Sequence, residues 1–303
     1  MAEDIVSVLK EKLPKNQIRI DEPMSNHTTL RLGGKADYFV CPENEEQLQW
    51  CLTLCKDRQL PVYFLGKGSN VLVGDLGFRG MIIHFPSVWN EVSINGPIVF
   101  ARAGVTLESL ATTAANASLS GLEFAYGIPG TLGGALAMNA GAYGEEIARS
   151  VIAAEVISAK GEKIFYKKED LDFSYRYSKL RQNGDIVCKA FLCLTPTPSE
   201  EVWGKMHDLK LKRQSKQPLE YPSAGSIFKR PEGHFASQLI EQAGLKGYRI
   251  GGACVSTKHA GFLINDNHAT AKEFLSLIHF IQKTIKEKFL VDLDLEVQII
   301  GEF

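Results

Sequence analysis

Two glycine-rich segments are the parts of this sequence best suited to holding a phosphate-bearing ligand. The first, residues 65–75, reads LGKGSNVLVGD. Its candidate contacts are Gly66, Lys67, Gly68, Ser69 and Asn70. Glycine allows positive φ and a close approach of the backbone to a ligand, so consecutive N–H groups can converge on a phosphate. The spacing fits neither the G-x-G-x-x-G fingerprint nor a P-loop, and a plain tight turn is an equal alternative.

The second segment, residues 127–146, reads GIPGTLGGALAMNAGAYGEE and carries few large side chains. Either elements pack very closely here, or a flat ligand lies against the backbone. Thr131 can begin a short helix whose N-terminal donors face a diphosphate. The candidate contacts are Pro129, Gly130, Thr131, Gly134, Asn139, Ala140 and Gly141. Two such loops in separate regions predict an elongated dinucleotide held between two subdomains.

Periodic apolar residues predict the elements that position these loops. The predicted helices are 45–58, 107–117, 199–216 and 271–287. The predicted strands are 61–65, 71–73, 81–85, 98–103, 151–158, 185–195 and 292–300. Thr270 and Glu273 form a capping-box pattern at the start of the last helix. Strict alternation over 292–300 places Leu293 on one face and Glu296 on the other, which is typical of a strand.

Composition excludes several classes of function. The 303 residues carry a formal net charge of −1, so no general field attracts nucleic acid or an acidic membrane surface. The six cysteines form no C-x-x-C pair and the histidines lack metal-ligand spacing, which predicts free thiols in a reducing compartment and no metal site. The first residues form a charged amphipathic pattern rather than a secretory signal, and no apolar run could span a bilayer. We therefore expect a cytoplasmic protein with no nucleic-acid or membrane partner.

Seven motifs follow one another along the chain in the order found in one enzyme family. They are NHTTLRLGGKAD (26–37), LGKGSNVLV (65–73), GIPGTLGGALAMNAGAYG (127–144), SYRYS (174–178), PSAGSIFKRP (222–231), AGLKGYRIGGACVSTKHAGFLIN (243–265) and LDLEVQIIG (293–301). The glycine-rich loops together resemble the FAD-binding fold of the vanillyl-alcohol-oxidase/PCMH type. The ordered motifs resemble the MurB family, the UDP-N-acetylenolpyruvoylglucosamine reductases, over nearly the whole chain.

The resemblance implies an α+β fold and a flavoenzyme. It implies FAD-binding subdomains at 1–85 and 86–200 and a C-terminal α/β substrate-binding domain at 201–303, whose last strand is free to return to the FAD-binding region. It also implies noncovalent FAD, NADPH as reductant, and reduction of UDP-N-acetylglucosamine enolpyruvate to UDP-N-acetylmuramate for peptidoglycan synthesis. No separate dinucleotide fingerprint distinguishes NADPH from NADH. We expect a monomer.

Three catalytic residues follow from the resemblance. Arg176 matches the family arginine that supports the substrate carboxylate, Ser226 the serine that delivers the proton, and Glu296 the acid that assists at the same centre. A guanidinium offers a planar fork to charge developing on a carboxylate, and a hydroxyl can donate a proton where a nearby cation stabilises the alkoxide. The residues matching substrate contacts are Tyr175, Lys216 and Lys229.

Local features alone favour structural or surface roles, rather than catalytic ones, for the same residues. Arg176 would be a surface ion-pair partner, Ser226 a turn residue beside a glycine, and Glu296 a solvated carboxylate on the polar face of a strand. Two other functions stay open. A flavin oxidase of the same fold would hold its flavin covalently after denaturation, whereas a non-catalytic nucleotide sensor would be colourless and would not need the three spaced residues.

The chain departs from the longer members of the family at two places. About twenty residues separate Ser178 from the polar stretch near residue 200, which leaves no room for the insertion whose tyrosine covers the substrate. The chain therefore resembles the shorter, type II-like subtype. Arg230 also stands where longer members often have asparagine, so the contact of that asparagine is not assumed.

Overall fold

A computed structural model describes residues 4–303 of the chain. The α-helices of this described part are α1 (Ile5–Lys12), α2 (Glu45–Asp57), α3 (Leu107–Asn116), α4 (Leu132–Met138), α5 (Lys179–Asn183), α6 (Ser199–Lys216), α7 (Ala236–Gln242) and α8 (Ala271–Phe289). Its 3-10 helices are Lys15–Gln17, Met24–Asn26, Ser87–Trp89, Glu123–Ala125, Ile147–Arg149 and Lys168–Leu171. No helix among these residues is long and apolar enough to cross a bilayer.

The strands fall into several separate sheets. They are β1 (Ile18–Pro23), β2 (Lys35–Val40), β3 (Val62–Leu65), β4 (Val71–Val73), β5 (Phe78–His84), β6 (Val92–Asn95), β7 (Ile98–Arg102), β8 (Leu119–Ser120), β9 (Gly141–Ala142), β10 (Glu145–Glu146), β11 (Val151–Ile157), β12 (Lys163–Lys167), β13 (Ile186–Cys193), β14 (Thr195–Pro196), β15 (Ser223–Ser226), β16 (Arg249–Ile250), β17 (Ala253–Val255), β18 (Phe262–Asn265) and β19 (Gln298–Ile300). A four-stranded sheet has the order β1-β2-β5-β3, in which β3 and β5 are parallel.

The predicted helices are confirmed, and their first residues show why they begin where they do. Asn44 caps α2 by accepting from Gln47 N, and Thr106 caps α3 by accepting from Ser109 N. In α8 both halves of the capping box form between Thr270 and Glu273. Such caps satisfy N–H groups that have no partner inside the helix. The apolar stripe of α8 is fully buried, so the periodic pattern identified its inner face correctly.

By compactness the chain forms two units. Within the described residues, the first comprises the chain up to Ile20, Tyr38–Gly66 and Gly80–Lys212, and the second comprises Asp21–Asp37, Lys67–Arg79 and Arg213–Phe303. The predicted division at residues 85 and 200 follows chain order and differs from this, because Asp21–Asp37 and Lys67–Arg79 belong to the second unit. That division stays a prediction.

The first unit is built on an antiparallel sheet of five strands in the order β12-β11-β13-β7-β6. A turn with Gly161 at φ +84° joins β11 to β12 in an antiparallel hairpin. One apolar core combines residues of this sheet with α3 and α4. A second core lies around α1, α2 and the parallel pair β3 and β5. These elements position the glycine-rich segment that contains α4.

The second unit holds a four-stranded antiparallel sheet, β15-β18-β17-β16, packed with α7 and α8 around one core. β19 pairs in parallel with β4, so the end of the chain lies beside the segment that follows the first glycine-rich loop. The mixed helix and strand content confirms the α+β fold class.

The prediction of one strand over 292–300 is wrong, because that stretch has two different partners. Leu295 forms an isolated antiparallel bridge with Phe228, whereas only Gln298–Ile300 pairs as a strand with β4. The alternation also fails at Glu296, which is 9% exposed although the pattern placed it on a solvated face. The stretch is therefore not one continuous strand with a single polar face.

Candidate active site

The two glycine-rich segments approach each other closely at Gly66. A Cβ on that residue would lie 2.6 Å from Thr131 Oγ1. A real Cβ does not come so near an oxygen atom, so glycine is needed for this approach. Both residues belong to the first unit. The backbone at the start of the first loop is therefore held against the start of α4, as expected of two loops that share one ligand.

Helix α4 begins at Thr131 as predicted, but its donors are not free. The Thr131 hydroxyl accepts from Gly134 N at 3.3 Å. The N–H groups of Leu132 and Gly133 donate to Val105 O and Ala103 O, each at 2.9 Å. The expectation that the first N–H groups of this helix face a diphosphate is therefore wrong for these three residues. Close packing explains part of the glycine content, since a Cβ on Gly133 would lie 3.0 Å from Ala103 Cβ.

The loop that follows Gly66 has backbone N–H groups that are available to a ligand, unlike the first N–H groups of α4. Within residues 4–303, the N–H groups of Lys67, Gly68 and Ser69 donate to no protein acceptor. Gly68 has φ +62°, and a Cβ there would lie 1.9 Å from His27 O, so no other residue fits. Successive N–H groups around a left-handed residue form a concave anion site. This loop is thus the better candidate for holding a diphosphate.

Arg176 stands at the tip of a tight turn in the first unit. Ser174 and Tyr177 exchange backbone hydrogen bonds across the turn, and Arg176 adopts φ +56°. Its guanidinium donates from Nη2 to Gly141 O at 2.9 Å and lies 5.1 Å from the ring centroid of Tyr175, which is 49% exposed. Arg176, predicted as catalytic, is therefore tied to the end of the predicted cofactor segment, and Tyr175, predicted to contact the substrate, lies beside it.

Ser226 and Glu296 lie on neighbouring backbones of the second unit. Glu296 N donates to Ile227 O at 2.8 Å, one residue after Ser226. Asn70 Nδ2, from the first glycine-rich loop, donates to Glu296 O at 3.1 Å. Three segments predicted separately from the sequence are thereby brought together in one unit. The burial of Glu296 is atypical of a solvated strand carboxylate.

The predicted substrate lysines have different surroundings. Lys229 is half-buried, and its N–H donates to Asp294 O at 2.8 Å, beside the bridge between Phe228 and Leu295. Lys216 is exposed at the end of α6. Arg176 belongs to the first unit, whereas Ser226 and Glu296 belong to the second. The action of all three on one substrate stays a prediction.

Sequence reasoning assigned no role to Thr29, which joins two of these segments. Its N–H donates to Gly68 O at 3.0 Å, and its hydroxyl donates to Ser223 O at 2.6 Å. The motif NHTTLRLGGKAD contains this residue, but nothing in its spacing marks a hydroxyl that bonds to backbone far along the chain. Among the described residues no cluster of histidine, cysteine and acidic side chains could hold a metal ion.

Comparison with known proteins identifies the family to which this chain belongs. A family model described as an FAD binding domain matches residues 36–165, and one described as the C-terminal domain of UDP-N-acetylenolpyruvoylglucosamine reductase matches residues 217–300. The UDP-N-acetylenolpyruvoylglucosamine reductase of Clostridium novyi is 48% identical over 99% of this chain and 97% of its own length. This chain belongs to the UDP-N-acetylenolpyruvoylglucosamine reductase family. It is an FAD-dependent oxidoreductase.

Other relatives of the reductase family match as fully. The Geobacillus kaustophilus protein of the same name is 47% identical over 99% of both chains. The crystal structure of MurB from Thermus caldophilus, 35% identical, covers 93% of this chain and 99% of its own with a TM-score of 0.82. The structure of Phl p 4, a grass pollen allergen with glucose dehydrogenase activity, matches 65% of this chain and 45% of its own at 15% identity and a TM-score of 0.50. That likeness shows the shared FAD-binding fold alone.

Proposed function

We propose that this chain reduces UDP-N-acetylglucosamine enolpyruvate to UDP-N-acetylmuramate, with NADPH as the reductant, in the synthesis of peptidoglycan precursors. The names of its full-length relatives support the reductase activity. The observation that carries the proposal is the buried Glu296, whose backbone is bonded both to the residue after Ser226 and to Asn70. Glutamate is seldom as buried as Glu296 is, and ionisable groups with such surroundings are concentrated at functional sites.

The glycine-rich segments fit noncovalent FAD. The N–H groups of Lys67, Gly68 and Ser69, which have no protein acceptor among the described residues, suit its diphosphate. FAD held there would supply the hydride chemistry, with NADPH as the source of the hydride and the terminal carbon of the enolpyruvyl group as its destination. The protein's own part is to bind, orient and protonate.

Arg176 has the chemistry needed at the substrate carboxylate. Hydride addition to an enol ether conjugated with a carboxylate leaves enolate-like charge on the carboxylate side. A guanidinium meets that charge with a planar pair of donors, which a lysine ammonium cannot do. Because Arg176 is tied to Gly141 O, its guanidinium is held in place before substrate arrives, and such preorganisation is what makes electrostatic stabilisation effective.

Ser226 completes the reduction by donating the proton. A hydroxyl is a weak acid, so the enolate must be a strong base and the resulting alkoxide needs stabilisation. In this account Glu296 assists from the neighbouring backbone, and Lys229, three residues after Ser226, supplies positive charge at the substrate. Tyr175 and Lys216 are proposed contacts of the nucleotide sugar. A cytoplasmic location and a monomeric state also stay predictions.

The two half-reactions can be followed separately by flavin absorbance in an anaerobic stopped-flow instrument. We expect NADPH to bleach the flavin of the purified protein, and the UDP-enolpyruvyl sugar to restore the colour with formation of UDP-N-acetylmuramate. UDP-N-acetylglucosamine, which lacks the enolpyruvyl group, is the matched control and should leave the flavin bleached. Reoxidation by both sugars at the same rate, or by neither, would contradict the proposal.

A further inference from the structure

The side chain of Asn139 has no solvent exposure, and both its amide nitrogen and its amide oxygen form hydrogen bonds with the protein backbone. It ends α4 in the left-handed conformation, with φ +46°. Its Nδ2 donates to Ser174 O at 2.9 Å, and its Oδ1 accepts from Ala148 N at 3.2 Å. All three residues belong to the first unit. A side chain so enclosed acts on the protein backbone rather than on a ligand.

The backbone that Asn139 holds is the turn that presents Arg176. Ser174 begins this turn and Tyr177 closes it. Arg176 occupies a left-handed conformation that residues other than glycine and asparagine seldom adopt, so the turn does not gain its shape from the preference of Arg176. Such a conformation persists only where surrounding contacts enforce it.

Two further hydrogen bonds join the same turn to the segment around Asn139. The hydroxyl of Ser178, which is fully buried, donates to Ala137 O at 2.8 Å. Arg176 Nη2 donates to Gly141 O at 2.9 Å. Three hydrogen bonds therefore hold the turn in place. Asn139 bonds to its first residue, Ser178 forms the second bond just after its last residue, and Arg176 forms the third.

We infer that Asn139 is a positioning residue, which holds the Arg176 turn on the end of the glycine-rich segment so that the guanidinium keeps a fixed place relative to the flavin-binding backbone. The inference deepens the proposed function and rests on the role of Arg176 at the substrate carboxylate. Loss of the Asn139 donor would let the turn relax and move the guanidinium. A displacement of about 1 Å in a catalytic group can lower a rate by about a hundred-fold.

Asn139→Asp tests this inference with almost no change of size. The carboxylate keeps an acceptor for Ala148 N but places an oxygen against Ser174 O, so the bond to the turn is lost. We expect reoxidation by the enolpyruvyl sugar to slow by about ten- to a hundred-fold, and substrate affinity measured by flavin spectral titration to weaken. Flavin content and reduction by NADPH should change less than about two-fold.

A double-mutant cycle with Arg176→Ala separates positioning from general damage. If Asn139 acts through Arg176, Asn139→Asp should have almost no added effect on reoxidation in the Arg176→Ala background. The inference would be overturned if the two substitutions slowed reoxidation independently, so that their fold-changes multiplied. It would also be overturned if Asn139→Asp slowed both half-reactions equally. Normal reoxidation by Arg176→Ala alone would instead show that the proposed role of Arg176 is wrong.

Two companion variants complete the design. Asn95→Asp makes the same chemical change at an exposed residue on the edge strand β6 and should match the unchanged protein. Ser178→Ala removes the second fastening of the turn and should slow reoxidation in the same way, again only when Arg176 is present. If Asn139→Asp does not fold with bound flavin, the cycle is run with Ser178→Ala, and independence of Ser178 from Arg176 then overturns the inference.

Discussion

Glu123 shows at the residue scale how the segment before the second glycine-rich loop is held. This carboxylate is 2% exposed. It accepts from Ser120 Oγ at 2.6 Å and Gly121 N at 2.8 Å, and Lys205 Nζ lies 3.5 Å away. Burial by itself raises the pKa of Glu123, but these hydrogen bonds and the lysine charge outweigh it, and the net pKa lies below the usual value.

Glu123→Gln should therefore destabilise the protein in a pH-dependent way. A carboxyl whose pKa is lower in the folded state stabilises the fold above its unfolded pKa of about 4.3, and that contribution is lost as pH falls through the folded value. We expect a loss of about 1.5–3 kcal/mol near neutral pH, where charged hydrogen bonds are removed. Thermal denaturation from pH 7 downward should show the difference in Tm narrowing below about pH 4.

The exposed Glu162→Gln is the matched control for this measurement and should change Tm little at any pH. A Tm of Glu123→Gln that instead differs from that of the unchanged protein by the same amount at every pH would mean that the charge of Glu123 does not stabilise the segment.

At this scale, the sequence predicted residue types better than their partners. The glycines at 66 and 68 were identified from composition, because close backbone approach leaves glycine as a visible signature. Donors were expected at both loops, and only the fold shows that the first N–H groups of α4 already bond to Val105 O and Ala103 O. Asn139 was selected as a ligand contact, although its side chain donates a hydrogen bond to the backbone of Ser174, 35 residues further along the chain.

At the scale of elements, the start of α8 is the best-defined feature of the second unit. Asp75, the last residue of the first glycine-rich motif, accepts from Ala271 N at 2.8 Å and Lys272 N at 2.9 Å. Thr270 accepts from Glu273 N at 3.1 Å. The first three N–H groups of the helix are thus all satisfied, and a negative charge lies at its positive end. The sequence predicted the capping box but not Asp75, which is distant in the chain.

Asp75→Asn should lower the stability of the flavin-loaded protein by about 1–2 kcal/mol. The amide oxygen can still accept a hydrogen bond, but its second group is a donor and its charge is lost. Urea denaturation with equal flavin content is the measurement, and the exposed Asp208→Asn in α6 is the control. Equal stability of both variants would show that the Asp75 contacts with α8 contribute nothing.

The chain end illustrates why element boundaries are harder to predict than element types. The alternation of apolar and polar residues over 292–300 indicates which way side chains point. The extent of a strand is instead set by the backbone with which it pairs. Leu295 bridges Phe228, and Gln298–Ile300 pairs with β4. The four helices given as ranges were predicted to within a few residues because the apolar stripes, and in α2, α3 and α8 the caps, are local in sequence.

At the scale of the whole molecule, the proposed reaction draws on residues that are far apart in the chain. Asn70, Ser226 and Glu296 come from three distant segments of the second unit, where Glu296 N bonds to Ile227 O, next to Ser226, and Asn70 Nδ2 bonds to Glu296 O. Arg176 comes from the first unit, where the turn around it is tied to the glycine-rich segment. Composition and periodicity could not reveal these tertiary contacts, and the ordered family motifs were needed to select the residues.

The central claim is that Ser226 delivers the proton in the second half-reaction only. Ser226→Ala should leave flavin reduction by NADPH within about two-fold of the unchanged protein, because no proton from the hydroxyl is used in that step. Reoxidation by the enolpyruvyl sugar should fall by about a hundred- to ten-thousand-fold, the usual contribution of a general acid. The exposed Ser276→Ala in α8 serves as the control and should alter neither step.

Stopped-flow measurement of both half-reactions for Ser226→Ala is therefore the most direct test. We expect normal bleaching of the flavin by NADPH and a nearly complete loss of flavin reoxidation by the UDP-enolpyruvyl sugar. Equal slowing of both steps, or normal recovery with the sugar, would contradict this expectation.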